Sequence, residues 1–116
     1  MTFNRYHSMS NLYTFETESL DDLISLLSQN LQKRRLEKGL SRDALSMMSG
    51  VPAPTIAKFE QKHVISLRSF IALAKALGYT DEIKQLLSKP IYDTIEELET
   101  IKHNKNRKRG TNEFKG

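Results

Sequence analysis

From residue 19 onward the apolar positions fall at intervals of three and four. Leu20, Leu23 or Ile24, Leu27 and Leu31 recur at i, i+3/4, i+7 and i+11, one face of an amphipathic helix of about five turns. Ser19 with Asp21 and Asp22 supplies an acidic start, and Gly39 sits just past its end. A second, short helix follows Ser41 as N-cap, with Asp43 in the first turn and Ala44, Leu45 and Met48 as apolar matter, until Gly50 breaks it. A third spans about Ala53 to Gln61, with Ile56 and Phe59 on one side. Ser66 caps a fourth that carries Leu67, Phe70, Leu73, Ala74 and Leu77 and ends at Gly78. "TDEIKQLL", capped by Thr80 or Asp81 and stopped by Pro90, reads as a fifth, and "DTIEELETIK" as a last weak helical stretch.

Residues 1–18 lack this period. "NLYTFET" alternates loosely and fits either a short strand or a disordered arm. The expected organisation is an arm over 1–18, an all-α domain over 19–89 and a weak helix with a basic tail over 90–116. The expected core comprises Leu27, Leu31, Leu40, Leu45, Val51, Ile56 and Phe59, together with Leu67, Phe70, Leu73, Leu77, Ile83 and Leu86. Met47 and Met48 are read as packing residues.

The segment between helices two and three changes the picture. Helix, a short turn containing Gly50, then helix again is the helix-turn-helix unit. Glycine there permits a positive φ that a β-carbon resists, and Val51 can plug the angle between the helices. In "GVPAPTIAKFE", two prolines stand two residues apart. Both are harmless if Pro52 precedes the helix, Ala53 is the N-cap and Pro54 takes the first position, where no backbone N–H is needed. Ala53 offers no capping oxygen, at a cost of about 1 kcal/mol.

"LQKRRLEKGLSRDALSMMSGVPAPTIAKFEQ", followed by "SLRSFIALAKALG", resembles the Cro/CI-type, or XRE, helix-turn-helix family. The resemblance covers about residues 27–88. It implies a five-helix DNA-binding domain, usually dimeric, whose third helix enters the major groove of double-stranded DNA. It also implies that Lys58 matches a base-contacting position, that Arg42 meets the phosphate backbone at the start of helix two, and that Arg35 and Glu60 form an internal salt bridge. Many family members carry Ser, Gln or Arg at the positions of Pro52, Ala53 and Pro54. Methyl and methylene groups there favour contact with thymine methyls over hydrogen bonds to purines. Base-contact candidates are thus Ala53, Pro54, Thr55 and Lys58, the alternative being that Ala53 and Pro54 only shape the turn while Lys58 touches phosphate. Phosphate candidates are Arg42, at the start of helix two, and Gln61 and Lys62, following the third helix, with Lys33, Arg34 and Lys38 as peripheral contacts or simply a solvated face. Ser46 and Ser49 fall where the family places small apolar residues. Val64 and Ile65 are read either as a dimer contact or as partly buried against helix four.

Charge and composition fit this reading. Among 116 residues, 38% are apolar, enough for one small core, and there is no cysteine. The net charge of +4 is unevenly spread: residues 23–62 are basic, residues 93–99 acidic, and residues 102–109 basic again. Basic middles suit polyanions. No apolar run of signal-peptide length opens the chain, and none approaches the roughly 20 residues that span a bilayer. A cytoplasmic, nucleoid-associated protein is expected. His7, His63 and His103 are too scattered for a helical metal pair, and no nucleophile motif or glycine-rich phosphate loop occurs; no cofactor, metal site or enzymatic activity is expected. The tail "NRKR" resembles the basic ends of HipB-like antitoxins, encoded beside HipA-type kinase toxins. Arg107, Lys108 and Arg109 are accordingly candidates for a DNA-hugging arm or a toxin-binding segment, the alternative being a solvated tail. The contrasting function class is a protein-interaction module that restrains a partner, with DNA contact secondary.

Overall fold

The computed structural model describes residues 18–109. The expected arm at the N-terminus lies outside the described residues, apart from Glu18. Six helices follow one another, and no strand occurs among the described residues: α1 Leu20–Glu37, α2 Arg42–Ser49, α3 Ala53–Lys62, α4 Leu67–Ala76, α5 Thr80–Gln85 and α6 Ile95–Asn104. This all-helical arrangement of the described residues agrees with the expected Cro/CI-like helix-turn-helix fold. It divides into two compact units, one ending at Ile83 and the other beginning at Lys84.

Local chemistry sets most helix ends. Ser19 Oγ accepts from Asp22 N–H at 3.1 Å, and Asp22 Oδ2 accepts from Ser19 N–H, so each satisfies an orphan donor of the other. Ser41 and Ser66 cap α2 and α4 in the same way, accepting from Ala44 and Ser69. At the end of α1, Leu40 N–H reaches back to the Arg35 carbonyl and Gly39 N–H to that of Leu36, the paired closure that a left-handed Gly39 allows.

Between α2 and α3 the chain turns at Gly50, whose φ of 78° is left-handed. Ser49 Oγ accepts the Val51 N–H at 3.1 Å, giving that serine a local task inside the turn. Pro52, with ψ 140°, is the N-cap of α3. The helix thus begins at Ala53, as its expected span has it, but the cap lies one residue earlier than expected: Pro52 rather than Ala53 is the N-cap, and Pro54 is the second helical residue rather than the first. Pro54 still does no damage, because none of the first four N–H groups of a helix has an intrahelical partner.

The first unit is built around Leu31, Leu45, Val51, Ile56, Phe59, Leu73 and Leu77, with Leu40, Ile65, Phe70, Ala72, Ala76 and Tyr79 packed against them. Phe59 and Phe70 meet edge to face, ring centres 5.8 Å apart. α2 packs on both α3 and α4, and α1 packs on α3. Several expected core residues lie outside this cluster. Leu27 is 50% exposed, Leu67 74% and Leu86 68%. Along α1 the buried positions are Ser28, Leu31 and Arg35, so the inward stripe is rotated about one residue from the leucine stripe. Met47 and Met48 are exposed rather than packed. Of the connector pair, Ile65 packs on the core and Val64 stays in solvent. α5 begins on Thr80 itself and stops at Gln85, two residues short of the expected end, with Leu87 in left-handed geometry at φ 62°.

The second unit carries α6. Thr94 Oγ1 accepts from Glu97 N–H, and Glu97 Oε2 accepts from Asp93 N–H, an acid-rich start with Lys102 and His103 in the last turn.

Candidate nucleic-acid interface

α3 has two unlike sides. Ile56, Phe59 and Glu60 are buried, while Pro54, Lys58 and Gln61 are exposed at i, i+4 and i+7 and so share one stripe. Lys62 is exposed at the edge of that stripe, and Thr55 and Ala53 are half-buried beside it. Gln61 and Lys62 belong to the last turn of α3 rather than following it, and Gln61 continues the line of Pro54 and Lys58. No side chain caps the first turn of α3. Within the first unit, the outer side of α3 thus carries exposed side chains.

Buried polar bonds hold the inner side. The Glu60 side chain is 1% exposed, and its two oxygens accept three hydrogen bonds. Arg35 Nε donates to Oε2 at 2.8 Å and Arg35 Nη2 to Oε1 at 3.0 Å, a two-point fork from α1. Arg42 Nε donates to Oε1 at 2.9 Å from the first residue of α2. Arg35 Nη1 adds a bond to the Leu40 carbonyl at 2.7 Å, tying in the loop after α1. One carboxylate on α3 thus links α1, α2 and the intervening turn. Burial pushes the Glu60 carboxyl up, but the hydrogen bonds and charges of Arg35 and Arg42 outweigh it and leave the group below the ordinary carboxylate value.

Ser28 is a second anchor. Fully buried on α1, its Oγ donates to the Phe59 carbonyl at 2.8 Å and lies 3.5 Å from that of Glu60. The Phe59 carbonyl also accepts the His63 N–H at 2.9 Å, so the Ser28 hydroxyl takes its second lone pair and ties the last turn of α3 to α1. Sequence reasoning missed it, because a serine among leucines carries no mark of burial. It also missed the bond from Arg42 to Glu60, read there as a free phosphate contact. His63 closes α3 in left-handed geometry, φ 63°.

Lys33 and Lys38 are exposed on and just after α1, and Arg34 Nε lies 2.9 Å from Glu37 Oε1 on its own helix. Arg107, Lys108 and Arg109 are exposed in the second unit, with Arg107 Nη1 donating to Asn104 Oδ1. Among the described residues no cluster of metal-ligating side chains occurs, and no helix is long and apolar enough to cross a membrane.

Residues 31–83 match the family model described as Helix-turn-helix, which supports the XRE type and a DNA-binding regulator. The match spans α2 and α3 entire, and begins at Leu31 within α1. No curated protein and no solved structure matches the chain.

Proposed function

We propose that this protein is a sequence-specific, non-enzymatic DNA-binding repressor that lays α3 in the major groove of a palindromic operator, two copies occupying successive grooves. The observation that carries this reading is the exposed stripe Pro54, Lys58 and Gln61 on a helix whose opposite side is bolted to α1 and α2. A major groove of B-DNA admits one α-helix, and residues in its N-terminal turns meet base edges. In this arrangement Pro54 and Ala53 bring apolar surface to thymine methyls, while Lys58 and Thr55 supply the polar reading groups. Arg42, Gln61 and Lys62 flank them as phosphate contacts. For a two-fold dimer, half-sites lie about 10 base pairs apart.

The test is binding to a duplex enriched by the wild-type protein from a random-sequence pool. Lys58→Ala should weaken that binding by about 1–3 kcal/mol and relax selectivity at one base position, with melting unchanged. Equal binding of every duplex by wild type and variant alike would refute sequence-specific reading through α3. The finer role we favour is antitoxin in an operon with a HipA-like kinase toxin. It is supported by the exposed basic run at Arg107, Lys108 and Arg109 together with its HipB-like resemblance. Its check is whether a kinase encoded next to this gene binds the full chain, and whether removal of residues 105–116 abolishes that binding while leaving DNA affinity intact. In that setting the protein works in the cytoplasm, at the nucleoid. A restraining module with DNA contact secondary would show tight partner binding and sequence-independent DNA binding.

A further inference from the structure

Arg35 and Arg42 bind the same carboxylate but differ in what they have left over. Arg35 uses every guanidinium nitrogen inside the fold, Nε and Nη2 on Glu60 and Nη1 on the Leu40 carbonyl. Arg42 commits only Nε, to Glu60 Oε1, and its side chain remains 34% exposed. Its two terminal nitrogens make no hydrogen bond among the described residues. Two guanidiniums on one carboxylate also leave a surplus positive charge, and the solvent-facing end of that surplus is Arg42.

A guanidinium is a planar fork whose edges can serve two anions at once, which an ammonium point charge does poorly. A phosphate on the free edge would complete an alternating row of charges: phosphate, Arg42, Glu60, Arg35. We propose that Arg42 is a positioning residue that couples the DNA backbone to the reading helix, holding a phosphate with its terminal nitrogens while its Nε fixes Glu60 of α3. This rests on the DNA-binding reading above and goes beyond it. Arg42 then affects which sequence is bound, although it touches no base, and Glu60 affects DNA binding, although it is buried.

The coupling has a sign that simple charge counting reverses. Removing a carboxylate near DNA should strengthen binding to a polyanion. If Glu60 orients Arg42, its neutralisation weakens binding instead.

The experiment compares wild type, R42A, R42K, E60Q and the R42A/E60Q double variant. Each is titrated over a salt series with the enriched duplex and with bulk calf-thymus DNA, and thermal melts establish that each is folded at the assay temperature. The expected R42A result is a salt slope smaller by about one unit, the loss of one phosphate contact. R42A should also lose about tenfold more affinity for the enriched duplex than for bulk DNA, where a plain phosphate contact would weaken both alike. R42K should keep the slope yet lose selectivity, because it retains the charge and not the fork. E60Q should weaken binding to the enriched duplex, and R42A/E60Q should bind no worse than the weaker single variant.

The proposal is overturned if R42A weakens both duplexes equally, if R42K matches wild type in selectivity, if E60Q strengthens binding, or if the two single effects multiply in the double variant. Those outcomes leave the DNA-binding reading standing. Wild-type binding that does not fall with salt removes the reading and the proposal together. Should E60Q fail to fold, the contrast between R42A and R42K decides alone.

Discussion

Replacing Glu60 with glutamine keeps the side chain's size and removes one charge. In the native fold that carboxylate accepts bonds of 2.8, 3.0 and 2.9 Å from two guanidiniums, with the Arg35 side chain 6% exposed. The amide retains a single acceptor oxygen and turns an NH2 donor toward guanidinium donors, so buried positive charge is left without its counter-charge. Breaking a buried pair from one side costs about 3–5 kcal/mol. A helical unit of this size has a total stability of about 3–10 kcal/mol. Glu60→Gln should therefore remove a third or more of the stability and lower Tm by about 12 °C or more, given about 4–8 °C per kcal/mol for a unit this small. Urea and thermal melts followed by circular dichroism read both quantities. The pH profile supplies a second signature. Because the folded carboxyl sits below its unfolded value, its contribution is complete above the unfolded pKa and is lost as pH falls through the lower folded value. Wild type should lose stability in that acid range in a step that the glutamine variant lacks. A variant melting within about 2 °C of wild type, with the same acid limb, would refute a net stabilising role for Glu60.

Two further substitutions test the packing. Leu31→Ala should cost about 2–5 kcal/mol, since Leu31 is buried in the core, whereas Leu27→Ala on the half-exposed side of α1 should cost well under half of that; equal losses in chemical denaturation would mean the inward stripe of α1 is misassigned. Gly50→Ala meets open space at its new β-carbon, so its cost should be the left-handed backbone penalty alone, about 1–2 kcal/mol. A larger loss in a urea melt would indicate that the α2–α3 turn is held by something more than glycine's freedom.

The helix ends were legible from the chain because their causes are local. A serine at residues 19, 41 or 66 meets an N–H three residues on, and Gly39, Gly50 and Gly78 adopt positive φ where a β-carbon would be strained. Even the missing cap of α3 could be read from Pro52, Ala53 and Pro54. Only the register was off by one, since Pro52 rather than Ala53 holds the extended cap geometry. The exposed stripe on α3 was legible in part: Pro54 and Lys58 follow from helical spacing, while Gln61, at the margin of the expected helix and read as a phosphate contact following it, proves to continue their line within the last turn.

Periodicity says which residues share a side of a helix, but not how far that helix is rotated against its neighbours. On α1 that choice belongs to Ser28, whose hydroxyl meets the Phe59 carbonyl, and to Arg35, whose guanidinium meets Glu60. Those bonds bridge 31 and 25 residues, separations at which no local pattern operates. They turn Leu27 toward solvent despite its place in the leucine series. The same holds for Arg42, a surface arginine by sequence and a partner of Glu60 by tertiary contact. The sequence by itself determined where helices start, stop and turn; the folded chain decided which residues they share, because a hydrogen bond between distant residues exists only after the helices have met.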